Sequence, residues 1–216
     1  MTEKFLKNEH YNFIKKQVLL IKDSSKKNLP SSVFTSLKDL SNAKILDLIP
    51  NISLDQQKIL DISRLKTDEE YQQYIQHLTE FLLPFPEITE QKLKKMFPKT
   101  KKLKLPDLSK VDHSQLTYLS WNDLRSNRKY IIYELDGELV GIECKFSPTS
   151  KKNICSLCKC TSEVSYFSAV TKVKKSNNPD YFKSIGNLIC KDSSECNKKI
   201  TSSLYLENIL RDSLGM

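Results

Sequence analysis

Apolar positions in the first third of the chain recur at intervals of three and four. Leu6, His10, Ile14, Val18 and Ile21 gather on one side of a helix turning every 3.6 residues. "DSSKKNLPSS" interrupts the pattern, and Pro30 with its neighbouring serines suits a helix start. Val33, Leu37, Leu40, Ile45 and Leu48 predict a second helix, stopped at Pro50–Asn51, and a short third one fits Leu54 to Leu65. The fourth is the most clearly marked. Thr67 and Glu70 make a T-x-x-E capping box, and Tyr71, Tyr74, Ile75, Leu78 and Leu82 form a stripe behind it. Short connections between helices of this size favour antiparallel packing, so residues 1–84 read as an N-terminal antiparallel helical bundle. His10 and His77 fall on or beside the apolar faces and read as core or boundary side chains rather than ligands.

Two prolines in "LPFPEI" end that pattern. The stretch "EQKLKKMFPKTKKLKLPDL" follows, with Leu93, Met96 and Phe97 spaced as one helical turn beneath seven lysines between Lys92 and Lys104. Beyond it the period shifts to two. "RKYIIYELDGELVGIECKF" sets Asp136–Gly137 between two β-rich runs, the strongest short hairpin signal, because both central residues of a type I′ turn need positive φ. A second strand pair is expected from "EVSYFSAVTKVKK" and "YFKSIGNLIC" through the turn-prone "SNNPD", and Ile200, Leu204, Ile209 and Leu210 suit a terminal helix. Residues 85–216 therefore read as a C-terminal α/β domain, and the fold class is α+β.

Charge separates the two halves further. Of the net +9, residues 1–85 carry 12 Lys/Arg against 11 Asp/Glu, whereas residues 86–216 carry 23 against 15. An acidic partner is thus expected at the second half. No segment reaches the ~18 apolar residues of a membrane span, and the N-terminus has no hydrophobic signal core. The expected location is cytoplasmic, where thiols stay reduced and a disulfide framework is disfavoured.

Six cysteines carry the remaining chemistry. Cys155 and Cys158 form a C-x2-C, Cys190 and Cys196 a C-x5-C, and 31 residues separate the pairs. A tight turn lets two thiolates point at one ion, and two such pairs complete a tetrahedron around zinc. Knuckle, hairpin and then a helix carrying the last ligand is a treble-clef-like layout, with Cys196 expected at the start of the terminal helix. A redox C-x2-C would open a helix in a βαβ pattern, which is missing. A catalytic zinc needs an open position and His, Asp or Glu ligands or a nearby base, and His113, the only histidine of this half, lies far from the cysteines in sequence. One closed, structural Zn2+ on four thiolates is the preferred reading. Cys160 could substitute as a ligand but is expected to be a bystander, and Cys144 reads as a small buried hydrophobe.

The run "LSWNDLRSNRKYIIY", with Trp121-Asn122-Asp123 and Ser126 to Tyr133, strongly resembles the signature of the FusB/FusC family of fusidic-acid-resistance proteins. The similarity extends upstream through "QKLKKMFPKTKKLKLP" and downstream to "CKDSSECNKKIT", covering roughly residues 85–200. It implies a helical N-terminal domain and a zinc-finger domain that binds elongation factor G, chiefly its C-terminal domains. It also implies that this binding drives the factor off the ribosome, which protects the drug's target without altering the drug. Where the family has aromatics flanking the zinc cysteines, this chain has Ile154 and Leu188. Lys183 is the charge nearest the glycine at 186, and Ser120 replaces the glycine usual before the tryptophan. Ile154, Lys183, Leu188, Arg128 and Lys129 are the partner-binding candidates.

Two functions of different class are compatible with these residues. One is a monomeric module that captures elongation factor G; the other is a ribosome-associated RNA-binding zinc finger whose lysines track phosphates. Catalysis is not expected, nor is a small-molecule substrate or a membrane. The chain shows no Gly-rich phosphate loop, no paired carboxylates and no Cys–His or Ser–His dyad.

Overall fold

The computed structural model describes residues 3–98, 100, 102–170 and 184–216, leaving aside the side chains of Ser150 and Val170. It divides into two compact units, Met1–Leu83 and Pro84–Met216.

The first unit holds helices α1 (Asn8–Ser25), α2 (Ser31–Leu46), α3 (Leu54–Leu60) and α4 (Asp68–Leu78). Ile14, Val18 and Ile21 of α1 are completely buried, together with Ile45, Leu60, Ile62 and Leu78. The Thr67 box is formed in full: Glu70 N donates to Thr67 Oγ1 at 3.2 Å and Thr67 N to Glu70 Oε2 at 2.9 Å. Ser53 and Gln56 make a second box that starts α3. The two ends of the unit are stitched by Phe5 and Leu6 N–H groups on Phe81 O, both at 3.0 Å, and by Leu83 N on Leu6 O at 2.8 Å.

The helical face expected for α2 is corrected. Val33 and Leu40 are 50% and 53% exposed, whereas Phe34, Ser41 and Ile45 turn inward. A serine in the buried stripe disguises its period. The third helix also stops early: Asp61 leaves helical geometry, and its carboxylate accepts from Ser63 N at 2.8 Å instead.

The second unit opens with α5 (Glu90–Met96), followed by a five-stranded antiparallel sheet in sequential order: β1 (Leu119–Asp123), β2 (Arg128–Leu135), β3 (Glu138–Ile154), β4 (Thr161–Val170) and β5 (Ser184–Cys190). Asp136 and Gly137 take φ of 52° and 82°, so the β2–β3 turn is the predicted one. The third strand runs much further than the hairpin signal foretold, through a register shift between Pro148 and Lys152 and on to the first zinc cysteine. Helices α6 (Ser193–Asn197) and α7 (Leu204–Leu214) close the chain.

Alternation gives the sheet two working faces. Leu119, Tyr130 and Ile132 pack with Leu93 and Phe97 on one side. Trp121 stacks on Tyr130 at 4.9 Å, and its Nε1 donates to Lys104 O at 2.8 Å, so the tryptophan braces this layer. A Cβ at Gly141 would lie 2.8 Å from the Phe97 ring, which explains the glycine. Ile131, Tyr133, Ile142 and Cys144 face the other way, into a core shared with the four zinc-type cysteines, Ile209 and Leu210.

Candidate metal centre

Each cysteine pair arrives on a different kind of element. After β3 the chain makes a tight knuckle in which Lys159 N donates to Cys155 O at 2.9 Å and Cys155 N to Cys160 O at 3.0 Å. Lys159 closes it with φ of 58°. Ser156 N reaches Leu188 O at 2.8 Å and lashes the knuckle to β5, whose last residue is Cys190. Cys196 lies in α6, capped by Asp192, whose Oδ1 accepts from Ser194 N at 2.8 Å. The expected placement of Cys196 at the terminal helix is corrected: α6 is a separate short helix, and Ile200 and Ser203 intervene before α7.

The four sulfurs of Cys155, Cys158, Cys190 and Cys196 lie within 4.8 Å of one another, all four residues being buried. Sγ separations are 3.8 Å for Cys155–Cys196 and 3.7 Å for Cys158–Cys190. Disulfides at about 2.05 Å are excluded, and all six cysteines are free thiols. Zinc–sulfur bonds of about 2.3 Å in a regular tetrahedron put sulfurs about 3.8 Å apart. The set is thus the right size for Zn2+, and four soft thiolate donors suit it. Among the described residues no histidine or carboxylate joins the group, so four thiolates fill the tetrahedron and leave no position for a substrate.

Mutual hydrogen bonding favours thiolate at Cys155 and raises the pKa of Cys158 and Cys196. Cys190 N donates to Cys155 Sγ at 3.3 Å. Hydrogen bonding from Cys158, Cys190 and Cys196 holds Cys155 far below the ordinary thiol range. The wholly buried Tyr118 hydroxyl faces Cys196, and burial first, then that sulfur, drives its pKa well up. Cys144, on the neighbouring strand, is pushed up to about 12 by burial and behaves as a small apolar side chain. Cys160 is half-buried and outside the cluster.

Asn197, the residue after the last cysteine, pins α6 to the sheet. Its Oδ1 accepts from the N–H groups of Thr117 and Tyr118 at 2.8 and 3.1 Å, and its Nδ2 donates to Tyr118 O and Ser193 O, both at 2.9 Å. No spacing rule marks this residue in the sequence.

The five partner-binding candidates separate in space. Ile154 is 60% exposed at the end of β3, and Leu188 is half-buried opposite Tyr166, itself 46% exposed. Tyr166 and Leu188 are cross-strand partners and share a face, whereas Ile154 pairs with Thr161, one position out of that alternation. Arg128 is half-buried and pairs with Glu143 at 3.3 Å. Lys129 is corrected: it is 0% exposed, its Nζ donating to Asn122 Oδ1 at 3.0 Å, and cannot touch a partner. Burial lowers its pKa to about 8, with the Cys196, Cys144 and Cys190 sulfurs acting to raise it. Lys183 lies outside the described residues, as do Tyr181, Phe182 and the "SNNPD" turn.

Two family models match the chain. Residues 96–210 match the FBP C-terminal treble-clef zinc finger, and residues 5–86 the N-terminal domain of elongation factor G-binding proteins. Among solved structures, that of the fusidic acid resistance protein FusC is similar over 98% of both chains, with 28% identity and a TM-score of 0.78. Curated protein sequences yield no match. With the zinc-finger match, the four-sulfur cluster is a structural Zn2+ centre. From its zinc knuckle to its capped last ligand, and by a match spanning more than half its length, this chain belongs to the FBP treble-clef zinc-finger family, joined to an elongation factor G-binding N-terminal domain.

Proposed function

We propose that the protein binds translation elongation factor G in the cytoplasm and, as a monomer, promotes its release from ribosomes stalled by fusidic acid, so that resistance arises by protecting the target. One observation carries this reading: both units match, in order, and the likeness to FusC runs through the whole of each chain. The zinc finger offers a suitable contact surface. Ile154 and Tyr166 are exposed apolar side chains on the strands that enter and leave a rigid metal knuckle, and Lys151, Lys152 and Lys159 are near in sequence. Aromatic and aliphatic anchors within a cationic rim suit an acidic protein partner, the apolar centre supplying affinity and the charges the association rate. The C-terminal domains of elongation factor G are the proposed contact, and the closed metal tetrahedron agrees with a binding role without catalysis.

The test uses purified ribosomes, elongation factor G, GTP and fusidic acid. Adding the protein should move the factor from the ribosomal pellet to the supernatant and restore translation. Factor that stays on the pellet at excess protein refutes release, and capture of ribosomal RNA without the factor, falling steeply with salt, would establish the RNA-binding alternative instead.

A further inference from the structure

Lys129 stands where the sheet's alternation calls for an apolar side chain. It shares the metal-facing side of β2 with Ile131 and Tyr133, opposite Cys144 of β3, and no part of it reaches solvent. A buried ammonium normally answers a carboxylate. Here its hydrogen-bond partner is the neutral Asn122 amide at 3.0 Å, and no carboxylate lies within ion-pair distance among the described residues. Asn122 is itself oriented, its Nδ2 donating to Lys191 O at 3.1 Å, directly after the third cysteine. Asp192 on that side is exposed and caps α6.

Four thiolates on one Zn2+ carry a net charge of −2, and all four of these cysteines are buried. A dianion in a low-dielectric core is costly unless a fixed positive charge stands near it. We propose that Lys129 is the internal counter-charge of the metal centre: a positioning residue, held by Asn122, that offsets the net negative charge of a zinc-bound tetrathiolate. The same arrangement explains the lysine, because the tetrathiolate adds negative charge to that of the exposed Asp192, and the Phe146 ring centroid lies 6.0 Å from Nζ. Lys129 and Asn122 are cross-strand partners in the β1–β2 register, so this charge is placed by the sheet itself and not by a flexible loop.

The proposal rests on zinc occupying the four-sulfur site, which metal analysis of the wild-type protein establishes separately. Zinc affinity by competition with a chromogenic chelator, and the rate of thiol alkylation, are measured for wild type, K129Q and K129R, each refolded with zinc. Gln can still donate to Asn122 but has no charge; Arg keeps the charge. The counter-charge predicts zinc binding about tenfold or more weaker and faster alkylation in K129Q, with K129R close to wild type. If K129Q fails to fold with zinc while K129R folds, the charge requirement is equally supported. Wild-type affinity in K129Q, or failure of both variants to fold, overturns the proposal, the first assigning Lys129 to hydrogen bonding and the second to shape.

Discussion

Replacing Asn197 by Ala removes a side chain that is 2% exposed and makes at least four hydrogen bonds. The mutation strands the Thr117 and Tyr118 N–H groups, at 2.8 and 3.1 Å from the lost oxygen, in a region that water does not reach. An unsatisfied buried backbone donor costs about 1–3 kcal/mol, and relaxation recovers part of it, so a loss of about 2–5 kcal/mol is expected. Cys196 shares α6 with Asn197, so the weakened contact also loosens the fourth sulfur. Urea unfolding of the zinc-loaded protein measures the effect: with a slope near 2 kcal/mol/M the midpoint should fall by about 1–2.5 M. Zinc competition should show weaker binding in the same variant. A stability change below about 1 kcal/mol would refute the reasoning, because it would mean that α6 is held by its sulfur ligands alone.

Three further outcomes follow from the geometry. Cys155→Ala or Cys190→Ala opens the metal site, which supplies on the order of 10 kcal/mol of folding free energy; circular dichroism should show the sheet lost and the N-terminal helices kept, and a retained sheet would contradict this. The double variant I154A/Y166A removes exposed side chains, so stability should stay within about 0.5 kcal/mol while affinity for elongation factor G falls about tenfold or more; unchanged affinity by calorimetry would move the interface elsewhere. Burial, and secondarily Lys7, lowers the His10 pKa from 6.5 to about 4, so on acidification the unfolded chain takes up a proton before the folded one does. Stability of the helical unit should therefore fall between those two pH values and level off below, by about 2 kcal/mol after allowance for partial exposure. Amide exchange in α1 should show that component absent from H10Q, and identical pH dependence in the two proteins would refute it.

The sequence announces those features that local chemistry decides. The Thr67–Glu70 box, the Asp136–Gly137 turn and the paired cysteines each declare a geometry within a few residues, and each is found as expected. What stays hidden depends on distant partners. A serine at 41 obscures the inward face of α2, because apolar Val33 and Leu40 compete for the period while facing solvent. Lysine 129 reads as a surface charge in "NRKY" until β1 and β3 cover it. Asn197 looks like an ordinary polar residue, and three of its bonds connect segments about eighty positions apart. The metal ligands were therefore legible from spacing, whereas the side chains that orient and neutralise them were not. The resemblance carried by "LSWNDLRSNRKYIIY" indicated the family, while the candidate Lys129 proves fully buried.

Calorimetric titration of elongation factor G with the zinc-loaded protein, repeated after complete removal of the metal by a chelator, tests the central claim most directly. The account predicts one-to-one binding that is lost when zinc is withdrawn and regained when zinc is restored, with one zinc per chain in the active form. Absence of binding by the zinc-loaded protein, or equally tight binding without the metal, would contradict it.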